Sequence, residues 1–118
     1  MSLSAQQEFD AYQSVPSQSL AIRYSRMHGN WQHRIFEVSS GERAGLLLSG
    51  VGYRVDKMLQ FTSAVDLIAF KAGADIRFEI MLSKELNQGR VRPTVFAQKY
   101  LGQGWVHYGF GIALSLEK

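Results

Sequence analysis

Residues 74–82 read ADIRFEIML and alternate without a break. Side chains of a strand point to opposite sides in turn, so Ala74, Ile76, Phe78, Ile80 and Leu82 share one face. Asp75, Arg77 and Glu79 share the other. This period of two argues for a half-buried strand and sets the reading of the rest of the chain. The apolar face is the expected core. The charged face is expected to be a solvated ladder, able to pair with charges on neighbouring strands. Asp75 and Glu79 stand about 13 Å apart by strand rise alone, too far for two carboxylates converging on one bond.

The end of the chain repeats the pattern. Across 105–117, WVHYGFGIALSLE, one face holds Val106, Tyr108, Phe110, Ile112, Leu114 and Leu116. The other holds Trp105, His107, Gly109, Gly111, Ala113, Ser115 and Glu117. The apolar face again reads as core. Glycine weakens a strand unless another backbone or a ligand comes close. Gly109, Gly111 and Ala113 are therefore expected to meet a second chain, with Trp105 and His107 facing a ligand.

Between these strands the same rhythm recurs. SLAIRYSRM, WQHRIFEV, AGLLLSG, VGYRV, KMLQFTS, AVDLIAF and RVRPTVFAQKY are apolar or alternating runs, broken by HGN, SSGE, KAGA, SKELNQG and LGQG. About seven to eight short strands with a turn signal every 8–12 residues predict an all-β antiparallel sandwich or barrel. Pro93 cannot donate to a ladder and belongs at an edge or bulge. Residues 56–72 also partly fit a helical period, through Met58, Leu59, Phe61, Val65, Leu67 and Ile68. Residues 4–15, SAQQEFDAYQSV, read as one short N-terminal helix. Ser4 is its cap, Phe9 and Tyr12 its apolar stripe, and Pro16 its end. Such a helix is marginal alone, so Phe9 and Tyr12 are expected to dock on the domain or on a neighbouring subunit. The whole chain, 1–118, reads as a single domain, with a β region over 18–118.

Composition narrows the function. The 118 residues include no cysteine, which removes disulfides, zinc–thiolate sites and cysteine nucleophiles. No apolar run reaches the roughly 18 residues of a membrane helix, and no signal peptide is visible. A cytoplasmic protein without membrane insertion is the expectation. Net charge is +3. No acid lies between Asp10 and Glu37, or between Glu85 and Glu117. If the two acid-free stretches lie side by side, they form a positive face.

No catalytic group, cofactor site or metal site emerges. The histidines have no acid nearby to orient them, and the glycine-rich segments lack the phosphate-loop pattern. Three binding classes remain. Self-assembly into a homo-oligomer, through an edge strand or through Phe9, Tyr12, Gly109, Gly111 and Ala113, is the leading expectation. Nucleic acid or another polyanion is second, through Arg23, Tyr24, Arg26, Trp31, His33 and Arg34, extended by Arg90, Arg92, Lys99, Trp105 and His107. A glycan stacked on exposed Trp or Tyr is third.

One stretch resembles a known family. VDLIAFKAGADIRFEIMLSKELNQGRV, continued by VFAQ, is similar to the central part of the trp RNA-binding attenuation protein. Gly73, Asp75, Arg77, Phe78, Ser83, Leu86, Gly89, Val91, Ala97 and Gln98 carry the match. It covers residues 65–118, about half the chain, with a small insertion near Glu79–Leu82. The resemblance implies a ring of β-sandwich subunits. It does not imply that family's binding activity. Glu85, His107 and Gly109 stand where its RNA-binding lysine and arginine would fall, and Lys71 and Ala74 where its ligand-holding threonines would.

Overall fold

The computed structural model describes residues 6–15, 18–41, 44–86 and 90–116. Eight strands follow one another: β1 Gln6–Val15, β2 Leu20–His28, β3 Trp31–Ser39, β4 Gly45–Asp56, β5 Gln60–Phe70, β6 Gly73–Ser83, β7 Val91–Tyr100 and β8 Val106–Leu116. Each is antiparallel to the next, and β8 pairs back onto β1, so the sheet closes into a barrel in sequence order. The proximal rim carries Gln6, the Gly29–Asn30 turn, residues 57–59 and residues 84–86. The distal rim carries residues 18–19, 71–72 and 101–105.

The N-terminal segment is a strand, not the expected helix. Phe9 and Tyr12, spaced by three, were read as one helical stripe. In β1 they face opposite ways: Phe9 outward, Tyr12 inward. The strand is held on both sides, with Phe9 opposite Tyr24 of β2 and Leu114 of β8. Two complete ladders satisfy far more backbone than a short, marginal helix. Ser4 and Pro16 lie outside the described residues, as do residues 87–89 and Glu117. Residues 56–72 resolve likewise into a turn and β5.

Two bulges adjust the wall. Ile35 is the extra residue where β3 faces the Tyr24–Ser25 step of β2, and Leu48 is the extra residue of β4 opposite β5. Each puts two consecutive side chains outward, Ile35 with Phe36 and Leu48 with Ser49, before alternation resumes. Closure leaves no edge strand, so the edge pairing expected from sequence has no place here. Pro93 sits on β7 next to the point where its ladder with β6 starts, at Ser83 opposite Thr94.

The largest departure from expectation is which face is inside. The apolar faces of β6 and β8 point out: Phe78 is 45% exposed and Phe110 60%. Asp75, Arg77 and Glu79 point in and are buried. The same holds for every strand. An eight-stranded barrel is just wide enough for side chains to fill its interior. Here the filling is mostly polar, with Met27, Leu47, Ile68, Met81 and Phe96 as apolar side chains among it.

The candidate functional site: a charged lumen in an apolar barrel

Five arginines and five carboxylates meet inside the barrel. Arg23, Arg34, Arg54, Arg77 and Arg92 pair with Glu8, Asp10, Glu37, Asp66 and Glu79, all nearly or fully buried. Each comes from an inward position of a strand, so the alternation that turns apolar side chains out turns these in.

The central layer holds three arginines and three acids. Arg77 (β6) grips Glu37 (β3) with both terminal nitrogens, at 2.7 and 3.0 Å, and reaches Asp66 (β5) at 2.7 Å. Arg34 (β3) donates to the same Asp66 oxygen at 2.8 Å and also to Glu79 (β6). Arg23 (β2) donates to Glu79 at 2.9 Å, and its Nε stands 3.0 Å from Glu37 and 3.7 Å from Asp10. The phenol of Tyr12 donates to Glu37, and the Gln98 amide donates to Glu79 at 2.6 Å. Arginine suits this role because its planar fork engages two acceptors at once and stays charged. Most members have two or more partners, which a buried charge requires.

Nearer the proximal rim lies a second cluster. Glu8 accepts from Arg54 at 2.7 and 3.0 Å and from Arg92 at 2.8 Å. Thr62 and Ser115 take a further hydrogen from each arginine, at 3.0 and 2.9 Å. Beyond it opens a polar vestibule of about 120 Å³, lined in part by Asn30, Asp56, Gln60 and Glu85. At the distal rim Phe70, Tyr100, Trp105 and His107 pack ring against ring, over Leu47 and Ile68. A cavity of about 10 Å³ beside Ser14, Ser19 and Tyr100 is room for one water. The ion-pair layer thus occupies the middle of the lumen, between the proximal vestibule and the distal ring cluster.

The outer wall is the converse. Phe9, Ile22, Phe36, Leu46, Val51, Val65, Phe78, Val95 and Phe110 represent all eight strands, and each is more than a third exposed. Charged side chains at outward strand positions are few. Arg26, His28 and His33 stand near the proximal rim, and Lys99 near the distal one.

The residues expected to form one binding surface are therefore divided. Arg23, Arg34, Arg92 and His107 are buried in the lumen. Tyr24, Arg26, Trp31, His33 and Lys99 point outward, and Arg90 lies on the proximal turn before β7. Trp105 belongs to the distal ring cluster, at the opposite rim from Trp31, so the two do not form one stacking platform.

The expected interface residues separate too. Phe9 is outside, while Tyr12 and Ala113 are buried inside. Gly109 and Gly111 face inward, and what comes close to them is this chain. A side chain at Gly109 would meet the Phe96 ring and the Gln13 carbonyl. One at Gly111 would meet the Ala11 carbonyl and the backbone and Cβ of Tyr12. Glycine at these two positions lets large side chains of neighbouring strands fold over the β8 wall.

Sequence reasoning did not single out Glu8, Asp10, Glu37, Arg54 or Asp66 as members of a site. The available signal was the division of cations. Five of the seven arginines among the described residues occupy inward strand positions, whereas Lys57, Lys71 and Lys84 occupy turns and loops. Among the described residues no group of three or more His, Asp or Glu converges to hold a metal.

Comparison with known protein families, curated proteins and solved structures found no match. The functional reading therefore rests on geometry alone.

Proposed function

We propose that this chain is a β-barrel that spans a lipid bilayer, with a lumen sealed by its own ion pairs. The observation that carries the reading is the inverted polarity: charges inside, and an apolar belt around all eight strands. In water such a belt is costly, because monomers seldom expose contiguous apolar patches beyond a few hundred Å². In hydrocarbon it costs nothing, and a closed sheet leaves no backbone group unpaired at an edge. The strands run from 9 to 12 residues, close to the 9–11 that a tilted transmembrane strand needs. Alternation of apolar-out and polar-in is the pattern of transmembrane barrels.

This departs from the expectation of a chain with no membrane insertion, which rested on helices. No helix among the described residues is long and apolar enough to cross a membrane; strands cross by a different rule. The filled lumen favours a structural or anchoring barrel over a wide channel.

The test is refolding from urea with and without phosphatidylcholine vesicles. The expected result is β-structure that floats with the vesicles and resists protease, and aggregation when amphiphile is absent. A folded monomer in buffer that ignores vesicles would overturn the reading. A discrete folded oligomer in buffer would replace it with self-assembly, the belt being covered by further copies.

A further inference from the structure

The outward side chains of Arg26 and His33 are direct cross-strand partners on β2 and β3. Their side chains leave the same face of the sheet about 5 Å apart. The Arg26 Nε–H donates to the Tyr24 hydroxyl at 3.1 Å, which anchors one side of the guanidinium to the wall. Tyr24 is braced in turn by Phe9, ring centres 4.9 Å apart. Arg26 itself is exposed. Among the described residues neither Arg26 nor His33 takes part in an ion pair.

The surroundings define the ligand. One register step nearer the rim, His28 faces Trp31, and Trp31 packs edge-on against Tyr53 with centroids 4.9 Å apart. One step the other way the wall is apolar, with Ile35 and Phe36. The Arg26–His33 pair thus sits where the apolar belt ends and an aromatic pair begins. Trp and Tyr favour the headgroup level of a bilayer. A guanidinium at that depth meets phosphate, and an imidazole beside it can add a hydrogen bond.

We infer that Arg26 and His33 form a binding site for the phosphodiester of an anionic lipid headgroup, with Trp31 and Tyr53 packing beside the glycerol region. The inference rests on the bilayer-spanning reading. Phosphate is the shared chemistry of a headgroup and a free anion, and the position commits the site to the headgroup. A nucleic acid approaching from water would have to lie against the apolar belt.

The test uses a Trp105→Phe variant, whose remaining indole is Trp31. It is refolded into equimolar phosphatidylcholine and phosphatidylglycerol vesicles in which one lipid or the other carries brominated, fluorescence-quenching chains. The expected result is preferential quenching by brominated phosphatidylglycerol, reflecting about fivefold local enrichment, the ratio matching about 1 kcal/mol for the one guanidinium at an anionic surface. The preference should vanish in Arg26→Ser/His33→Ser, while total insertion stays the same. Equal quenching by both lipids would overturn the headgroup site and leave the membrane reading standing. No quenching by either, in folded protein, would overturn the membrane reading itself. Loss of the preference on adding excess inorganic phosphate or a single-stranded oligonucleotide would assign the patch to a soluble anion and overturn the inference. Native mass spectrometry of the unaltered protein gives a second readout independent of Trp105→Phe: phosphatidylglycerol should be retained over phosphatidylcholine, and equal retention would count against the site.

Discussion

Arg77 and Glu37 join opposite parts of the wall: β6 and β3 share no ladder, yet the guanidinium and carboxylate meet through two hydrogen bonds of 2.7 and 3.0 Å. Arg77 also donates to Asp66 through Nε at 3.0 Å. Removing it leaves Glu37 to Arg23 and Tyr12, leaves Asp66 to Arg34, and unbalances the charge of a closed interior. Losing one partner of a buried pair typically costs about 3–5 kcal/mol, because the remaining charge stays desolvated. Arg77→Met should lower stability by that amount in urea unfolding of vesicle-bound protein. Arg77→Met with Glu37→Gln should cost less than the sum of the two single changes, since the pair removes one charge of each sign and the interior stays balanced. Strict additivity would show that the two side chains act independently.

A substitution on the outer wall separates a lipid-facing surface from a water-facing one. Val65 lies midway along β5, points outward and pairs with Phe78. Val65→Arg places a cation at the middle of the belt, where a transmembrane barrel loses about 2–4 kcal/mol, whereas His28→Arg at the rim should cost about 0–1. Unfolding in vesicles compares the two. If both changes cost the same, or Val65→Arg stabilises, that wall faces water.

The β1–β8 seam depends on the absence of a side chain. Gly111 lies directly opposite Tyr12, and a Cβ there would meet the Tyr12 backbone and the Ala11 carbonyl rather than any side-chain tip. Backbone cannot rotate away as a side chain does. Gly111→Val should cost at least about 1–3 kcal/mol by overpacking, with faster amide exchange along β1. Adding Tyr12→Ala should not restore the seam. Rescue by Tyr12→Ala would show that the ring, not the backbone, sets the limit.

The period of two and most turns were legible in the sequence, though the turn at 57–59 was read as part of the run KMLQFTS; what the pattern could not convey is direction. A period-two pattern is symmetric: Phe78 and Arg77 alternate identically whether water or the lumen lies on the charged side. The usual prior, apolar inward, puts Phe110 in the core, and the structure puts it outside. Glu8 and Asp10 were hidden by a second ambiguity, because Phe9 and Tyr12 satisfy a helical spacing as well as a strand. Partners such as Arg23 and Glu79 are 56 residues apart, and only closure of the barrel brings them together. The glycines of β8 were read as the place where a second chain comes close. The neighbour proved to be the preceding and closing strands of the same chain.

At the distal rim one carboxylate organises a turn. Asp75 accepts from the backbone N–H of Gly102 at 2.6 Å and of Gln103 at 2.8 Å, and from Ile76 at 2.8 Å. Leu101 adds a backbone bond to the Ile76 carbonyl at 2.9 Å, so the β7–β8 turn is tied to the start of β6 across two strands. A hydrogen bond to a charged group contributes about 1.5–3 kcal/mol, and every 1.4 kcal/mol is a factor of ten in an opening equilibrium. Asp75→Ala should therefore speed amide exchange at Gly102 and Gln103 by roughly ten- to a hundredfold. Asp75→Asn keeps one carbonyl acceptor and should fall between. Amides in the centre of β6 should keep their protection, because the lumen pairs lie deeper in the barrel. Unchanged exchange at Gly102 in Asp75→Ala would mean that the Leu101–Ile76 bond alone holds the turn.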